Sequence, residues 1–216
     1  MLPHGKIGKI QFTQAVSEVQ SFKKTLDRLF LQKESQSQEI NLDVADFNIS
    51  GRLDNLTEAG LVQYRYATIK PKDLIRGWIS HLALNSINND EMNGSGTNTI
   101  LAGKDKTLMF LPASESRMYL EQLLTLYWKG LSEPLYFFPR TSFVFAREIH
   151  KGKNEQEALF KAENEWEGNA YNKNSEKNDP YNSLCFKKID LEDTSFKEQA
   201  KMIWLPIFEH QTRYSN

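Results

Sequence analysis

The spacing of apolar residues over the first eighty or so positions changes twice, and those two changes restrict the fold more than any other feature of the sequence. From Thr13 onward Val16, Val19, Phe22, Leu26, Leu29 and Phe30 recur at intervals of three and four, which puts them on one face of a helix. After a polar break, the segments 40–44, 47–53 and 61–69 are short, rich in β-forming residues and bounded by Asp, Asn and Gly. They read as three strands joined by tight turns. Helical spacing returns at Pro71. Proline suits the first turn of a helix, where its missing N–H would have no partner, and Leu74, Ile75, Trp78, Ile79 and Leu82 follow on one face. The result is an α-β-β-β-α nucleus, with both helices expected to pack on a three-stranded meander.

The remainder of the chain elaborates this nucleus. Residues 88–97 are polar and Gly-rich, too poor in apolar groups to offset the entropy of ordering them, and are expected to form a mobile loop. Segments 99–102 and 107–111 read as a hairpin, and 118–131 as a helix with Leu120, Leu123, Leu124, Tyr127 and Leu131 on one face. Together they form a hairpin-helix insertion over approximately 88–131. Segment 135–138 resumes strand character. The run Tyr136-Phe137-Phe138, then Pro139-Arg140 and Phe143-Val144-Phe145, reads as a strand buried on both faces or as an aromatic partner surface. A helix over 155–167 is announced by Asn154 with Glu157 three residues on, and another by Ser195 with Glu198 three on. Between them 169–182, rich in Asn and Lys with an Asp-Pro step, reads as a surface loop. A chain of 216 residues suits one elaborated domain, since domains run to roughly 100–200 residues.

Composition narrows the function. Charged residues are 25% and hydrophobic ones 39% of the chain, near the globular average. The balance of 27 Lys and Arg against 28 Asp and Glu provides no overall basic field of the kind an independent DNA binder carries. Local patches such as Lys151, Lys153, Lys161, Lys187 and Lys188 read either as a phosphate-contacting surface or as solvated helix faces. Cys185 is the single cysteine, so there is no internal disulfide or cysteine-cluster zinc site, and a reducing cytoplasm is expected. The N-terminal ten residues lack the apolar run of a secretory signal, and no stretch approaches the roughly 20 apolar residues of a membrane helix. The turn at Leu2-Pro3-His4-Gly5 reads as lying inside a longer protein. No phosphate-binding G-x-x-x-x-G-K-[ST] loop occurs. His4, His81, His150 and His210 are widely separated, and a structural role is expected for each.

One constellation carries a chemical reading. Gly51-Arg52-Leu53-Asp54 ends the second strand of the nucleus. In divalent-metal nucleases of the PD-(D/E)xK class an Asp at that place and a D/E-x-K on the next strand converge on Mg²⁺, the Lys polarising the attacking water or phosphate. Here the following strand, Leu61 to Thr68, holds no acid, and no D/E-x-K triplet occurs in the chain. Asp54 is then either a metal ligand in search of a second carboxylate, such as Glu18, or a turn residue closing a hairpin with Asn55. Alternation puts Gln63, Arg65 and Ala67 on one face of the third strand. Arg65 and Ala67 would stand where an active relative places its second acid and its lysine, and the Arg65 guanidinium is expected to pair with Asp54 in place of a cation. The expected fold class is α/β (α+β): a degenerate PD-(D/E)xK restriction-endonuclease-like domain with a mixed central sheet flanked by helices.

Six ordered pieces of the chain resemble one family. They are Leu2-Pro3-His4-Gly5 with Gly8-Lys9-Ile10, Ile49-Ser50-Gly51-Arg52-Leu53, Leu61-Val62-Gln63-Tyr64-Arg65-Tyr66, Asp73 through Leu82, Glu133-Pro134-Leu135, and Glu167-Gly168-Asn169. The sequence resembles the C-terminal domain of RecC, the gamma subunit of exodeoxyribonuclease V. The resemblance implies membership of the RecBCD helicase-nuclease, which processes double-strand DNA ends for recombinational repair. It implies a nuclease-like domain stripped of its active-site residues that helps hold RecD and RecB together, with DNA reached through the complex. Under that resemblance the domain itself needs no cofactor or metal, Mg and ATP being used by partner subunits. Asp54 departs from this pattern by keeping an acid, which leaves open a vestigial cation contact there.

Overall fold

A computed structural model describes residues 3–30, 35–91, 97–168, 175–186 and 189–214, without the side chains of 88–91. In chain order its elements are α1 (Lys6–Phe30), β1 (Gln36–Val44), β2 (Phe47–Thr57), β3 (Gly60–Tyr64), α2 (Pro71–Glu91), β4 (Thr99–Ala102) and β5 (Thr107–Phe110). There follow α3 (Ser116–Gly130), α4 (Pro139–His150), α5 (Glu155–Glu167), a 3₁₀ turn (Glu176–Asn178), α6 (Pro180–Cys185), α7 (Thr194–His210) and β6 (Gln211–Arg213). The strands form one mixed sheet in the order β1-β2-β3-β4-β5-β6. Every neighbouring pair is antiparallel except β3 and β4. A parallel pair cannot be joined by a tight turn, and α2 is the crossover that returns the chain. The hairpin that the sequence reading assigns to an insertion is β4-β5, and it joins the middle of this sheet.

Period-two alternation divides the sheet's side chains between two cores. Ile40, Leu42 and Val44 of β1, Leu53, Leu61, Leu101, Leu108 and Phe110 face α2, where Leu74, Trp78 and Leu82 meet them. Val62, Ile100 and Ala102 point the other way, onto Leu29 and the half-buried Phe22, Leu26 and Phe30 of α1. The two helices therefore pack on opposite faces of the sheet, α1 over its middle. A third cluster, Phe138, Phe145, Ala158, Leu159, Ala162, Trp166, Phe196 and Ala200, joins α4, α5 and α7 beside the sheet.

Backbone constraints explain how β3 and β4 meet. Gly60 has φ +123, and a Cβ there would run into the Asn98 carbonyl, the group that accepts the Leu61 N–H at 2.9 Å. Only glycine fits that position. On the far side, Gly77 lets α2 approach closely, since a Cβ would stand 3.1 Å from the Phe110 ring.

Buried polar groups lock α2 to the sheet. His81 is fully buried. One ring nitrogen, Nε2, lies 3.0 Å from the Leu111 carbonyl and the other, Nδ1, 3.0 Å from Thr99 Oγ1. A carbonyl only accepts, so Nε2 carries the proton and Nδ1 accepts from the threonine. One turn on, Asn85 donates to the Thr97 carbonyl (2.8 Å) and accepts from the Ala113 N–H (3.1 Å). Trp78 lies between the rings of His81 (5.2 Å between centroids) and His210 (5.3 Å).

Several expectations are corrected. α1 begins at Lys6, seven residues before Thr13. The third strand stops at Tyr64 rather than running to 69: Ala67 N–H bonds the Arg65 carbonyl (2.7 Å) and closes a tight turn. α2 continues to Glu91 through part of the expected loop 88–97, because its polar Asn85 and Ser86 are buried and hydrogen-bonded rather than terminal. Residues 92–96 of that loop lie outside the described residues. The strand 135–138 is absent: Tyr136 and Phe137 lie outside any helix or strand, and only the second half of the aromatic run belongs to a helix. Phe138 is an extended N-cap and Pro139 opens α4, so the Phe spacing was helical packing, not a strand. Phe138 and Phe145 are buried, which removes them as partner-facing residues. α5 starts as expected, with Asn154 Oδ1 accepting from the Glu157 N–H at 2.8 Å. α7 is capped by Asp193, which accepts from the Ser195 N–H at 2.7 Å, and not by Ser195. The expected surface loop 169–182 contains a 3₁₀ turn and the start of α6, its residues 169–174 lying outside the described set. No helix among the described residues is long and apolar enough to cross a membrane.

Burial pushes the His81 pKa down to about 4 from its ordinary 6.5. The unfolded chain therefore binds the proton first as pH falls, and stability is lost progressively between about pH 6.5 and 4, by roughly 3 kcal/mol in all from this group. A proton titration of the His81 ring followed by NMR is expected to show a midpoint near 4. A midpoint at the value of a solvated imidazole would contradict the buried, neutral assignment.

Candidate functional site

The sheet opens where the sequence places its candidate carboxylate. β1 and β2 pair along nearly their whole length, but their register slips between Gln36 and Gln38: Gln38 stands opposite Leu53 and Gln36 opposite Leu56. Two residues of β2, Asp54 and Asn55, therefore oppose the single Ser37. This is a β-bulge, and Asn55 takes the left-handed conformation (φ 64) that it needs. Asp54 does not close a hairpin, since β2 runs on to Thr57. Beyond the bulge β2 pairs with β3 only through Leu56 opposite Leu61 and Thr57 opposite Gly60. The two strands thus splay apart, and a cleft of about 500 Å³ opens between them and the first turns of α2. Arg52, Asp54, Gln63, Arg65, Asp73, Arg76 and Ser80 line it over an apolar floor of Leu53, Leu61 and Leu101.

Each carboxylate in the cleft is closed onto an arginine. Asp54 Oδ1 accepts from Ser37 Oγ (2.8 Å) and Arg52 Nε (2.7 Å), and Arg52 Nη2 donates to the same Ser37 oxygen at 2.7 Å. The Ser37 hydrogen bond, then Arg52, holds the Asp54 carboxyl below the ordinary carboxylate value. Asp73, in the first turn of α2, is buried. One of its oxygens accepts from the Lys70 N–H (2.9 Å) and the other from Arg65 Nη1 (2.8 Å). The first bond is the reciprocal half of a capping box. Burial works to raise the Asp73 pKa, but the Lys70 N–H and Arg65 overcome it and the net shift is downward. Its contribution to stability is present above the unfolded carboxylate pKa and is lost as pH falls through the lower folded one.

Of the three residues that the sequence singles out, the structure brings Asp54 and Arg65 to one cleft and leaves Ala67 out of it. Ala67 sits in the turn after β3, where its carbonyl accepts from the Lys104 N–H at 3.0 Å. The expected Arg65–Asp54 pair is not formed: Arg65 turns to Asp73 on α2, a buried acid with no role assigned to it from the sequence. Arg52, two residues before Asp54 on the same strand, takes the role assigned to Arg65. Glu18, proposed as a second carboxylate, does not line the cleft. It lies on α1 and binds Lys104 Nζ at 2.5 Å. Gln63 occupies the cleft wall on β3, and the alternation that put it on the Arg65 face was the signal for it. The four histidines assemble no site: His81 is clamped in the core, His210 bonds the Pro206 carbonyl (2.8 Å), and His150 packs on Phe208. Among the proposed basic patch, Lys151 pairs with Glu148 and Lys153 with Glu157, while Lys187 and Lys188 lie outside the described residues.

A double-mutant cycle separates the two arginine pairs. Asp73→Ala is expected to cost about 1 kcal/mol or more through its lost cap and to couple to Arg65→Ala by about 0.5 kcal/mol. Asp54→Ala and Arg65→Ala are expected to be additive in urea denaturation. Coupling of Arg65 to Asp54 instead would restore the pairing expected from the sequence.

Comparison with known proteins gives the chain a family. A family model described as the RecC C-terminal domain matches residues 1–150. The chain is 24% identical over 225 aligned residues to RecBCD enzyme subunit RecC of Buchnera aphidicola subsp. Schizaphis graminum, covering 99% of this chain and 20% of the relative. It is 25% identical over 220 residues to RecBCD enzyme subunit RecC of Escherichia coli strain K12, covering 96% of this chain and 19% of the relative. The chain thus spans about a fifth of the length of the curated relatives it matches. It belongs to the RecC family, within the family's C-terminal domain.

Proposed function

We propose that this chain is a single non-catalytic scaffold domain of the RecC subunit in a RecBCD-type helicase-nuclease acting in double-strand-break repair and homologous recombination. In this role it holds the partner subunits RecD and RecB and meets duplex and unwound DNA as part of the complex. It takes no cofactor itself, Mg and ATP serving the partner subunits. The observation that carries the reading is the state of the cleft: both of its carboxylates, Asp54 and Asp73, are closed onto arginines, and the strand facing Asp54 offers Gln63 rather than an acid. A divalent ion needs several oxygen ligands with negative charge to spare. No group of three or more metal-ligating side chains occurs among the described residues. The element order α1-β1-β2-β3-α2-β4, with β3 and β4 parallel, supports reading the nucleus as a degenerate PD-(D/E)xK nuclease-like fold.

Surfaces suited to partners lie elsewhere. The first half of α1 leaves Ile7, Ile10, Phe12, Val16 and Val19 exposed, and the end of α3 leaves Tyr127, Trp128 and Leu131 exposed, with Trp128 against Phe47. Apolar patches with exposed aromatics are characteristic of interfaces. The purified chain is expected to leave single- and double-stranded DNA intact with either Mg²⁺ or Mn²⁺. Cleavage that Asp54→Ala abolishes would replace the scaffold reading with a nuclease one. Val16→Asp and Trp128→Asp are expected to leave the far-UV circular dichroism unchanged and to weaken assembly with RecB and RecD at least tenfold. Unaltered assembly in both would remove these faces from the account.

A further inference from the structure

The splayed cleft holds more than paired charges, because two of its polar side chains have no partner among the described residues. Arg76, exposed on α2, forms no ion pair among the described residues, unlike Arg52 and Arg65 in the same cleft. Three arginines against two aspartates leave one positive charge in excess there, on a chain whose net charge is −1. The Gln63 amide, half-buried on the opposite wall, has no hydrogen-bond partner among the described residues either. An amide presents a donor and an acceptor side by side, whereas the arginine presents a fork matched to phosphate oxygens. Leu53, Leu61 and Leu101 line the same cleft. The volume of about 500 Å³ falls within the ~300–1,000 Å³ typical of small-molecule sites.

We propose that this cleft binds one nucleotide without cleaving it, the phosphate on Arg76 and the base edge on Gln63 over the apolar floor. The shared chemistry is a nucleotide phosphate, presented either within a single strand or as a free mononucleotide. The inference stands on the cleft alone and does not depend on the scaffold reading: binding without partner subunits would support it, and assembly without binding would remove it while leaving that reading intact.

The test is fluorescence anisotropy of a labelled oligothymidylate with the 216-residue chain at low salt. Unlabelled oligothymidylate, thymidine monophosphate and inorganic phosphate serve as competitors. Arg76→Ala is expected to weaken binding about tenfold and to reduce the slope of log affinity against log salt by about one. Gln63→Leu is expected to weaken binding severalfold without changing that slope, and circular dichroism of both variants should match the parent. Competition by the mononucleotide as effective as by the strand assigns the site to free nucleotides, and competition by the strand alone assigns it to nucleic acid. Absent binding, affinity indifferent to both substitutions, or inorganic phosphate competing as well as the mononucleotide would each overturn the proposal.

Discussion

The architecture depends on how α2 is held against the sheet. A parallel strand pair needs a long crossover, and a crossover helix is useful only if its rotation and depth are set. Here that is done by polar groups inside an apolar core. His81 spans from Thr99 on β4 to the Leu111 carbonyl, and Asn85 ties together the backbones of Thr97 and Ala113. An unsatisfied amide or imidazole at that depth would cost about 1–3 kcal/mol each, so alternative rotations of the helix are penalised far more than apolar packing alone would penalise them. Gly77 then permits the close approach to Phe110, and Trp78 fills the space between the two histidine rings. The position of Asp73 and Arg76 in the cleft follows from the same clamp, since both lie on the first turns of this helix.

The second determinant is the bulge at Asp54 and Asn55. It takes one residue out of the β1-β2 ladder, turns β2 away from β3 and so creates the cleft. Neither residue was unusual as a turn former in the sequence, which is why an Asp-Asn step looked like the end of a hairpin. A bulge is recognised only when the register of the partner strand is known, and Ser37 sits in a polar stretch with no apolar marker to set that register. The pairing of Arg65 was misread for the same reason. Strand alternation placed it on the correct face, but the choice between Asp54 and Asp73 is a matter of three-dimensional distance across a helix-strand junction.

Much of the remainder was legible because long elements carry long patterns. The α-β-β-β-α nucleus, the Pro71 start of α2, the β4-β5 hairpin and the Asn154 cap all follow from periodicity or capping chemistry. What failed was short or ambiguous. β6 is three residues long and carries no period, and α6 hides in a stretch read as loop. The aromatic run around Pro139 satisfied a buried strand as well as a helix, a known ambiguity of short apolar runs. Only the packing of Phe138 and Phe145 among α5 and α7 resolves it. The exposed half of α1 had the same apolar stripe as its buried half, and composition could not tell which part the sheet would reach.

These features together describe an α-β-β-β-α nucleus in which each of the two cleft carboxylates, Asp54 and Asp73, is paired with an arginine. The most direct measurement is a crystal structure of the chain grown with excess Mn²⁺, with anomalous scattering recorded at the manganese edge. The account predicts no manganese peak in the cleft, with Arg52 on Asp54 and Arg65 on Asp73. A manganese ion on Asp54, with Arg52 displaced from it, would contradict the account.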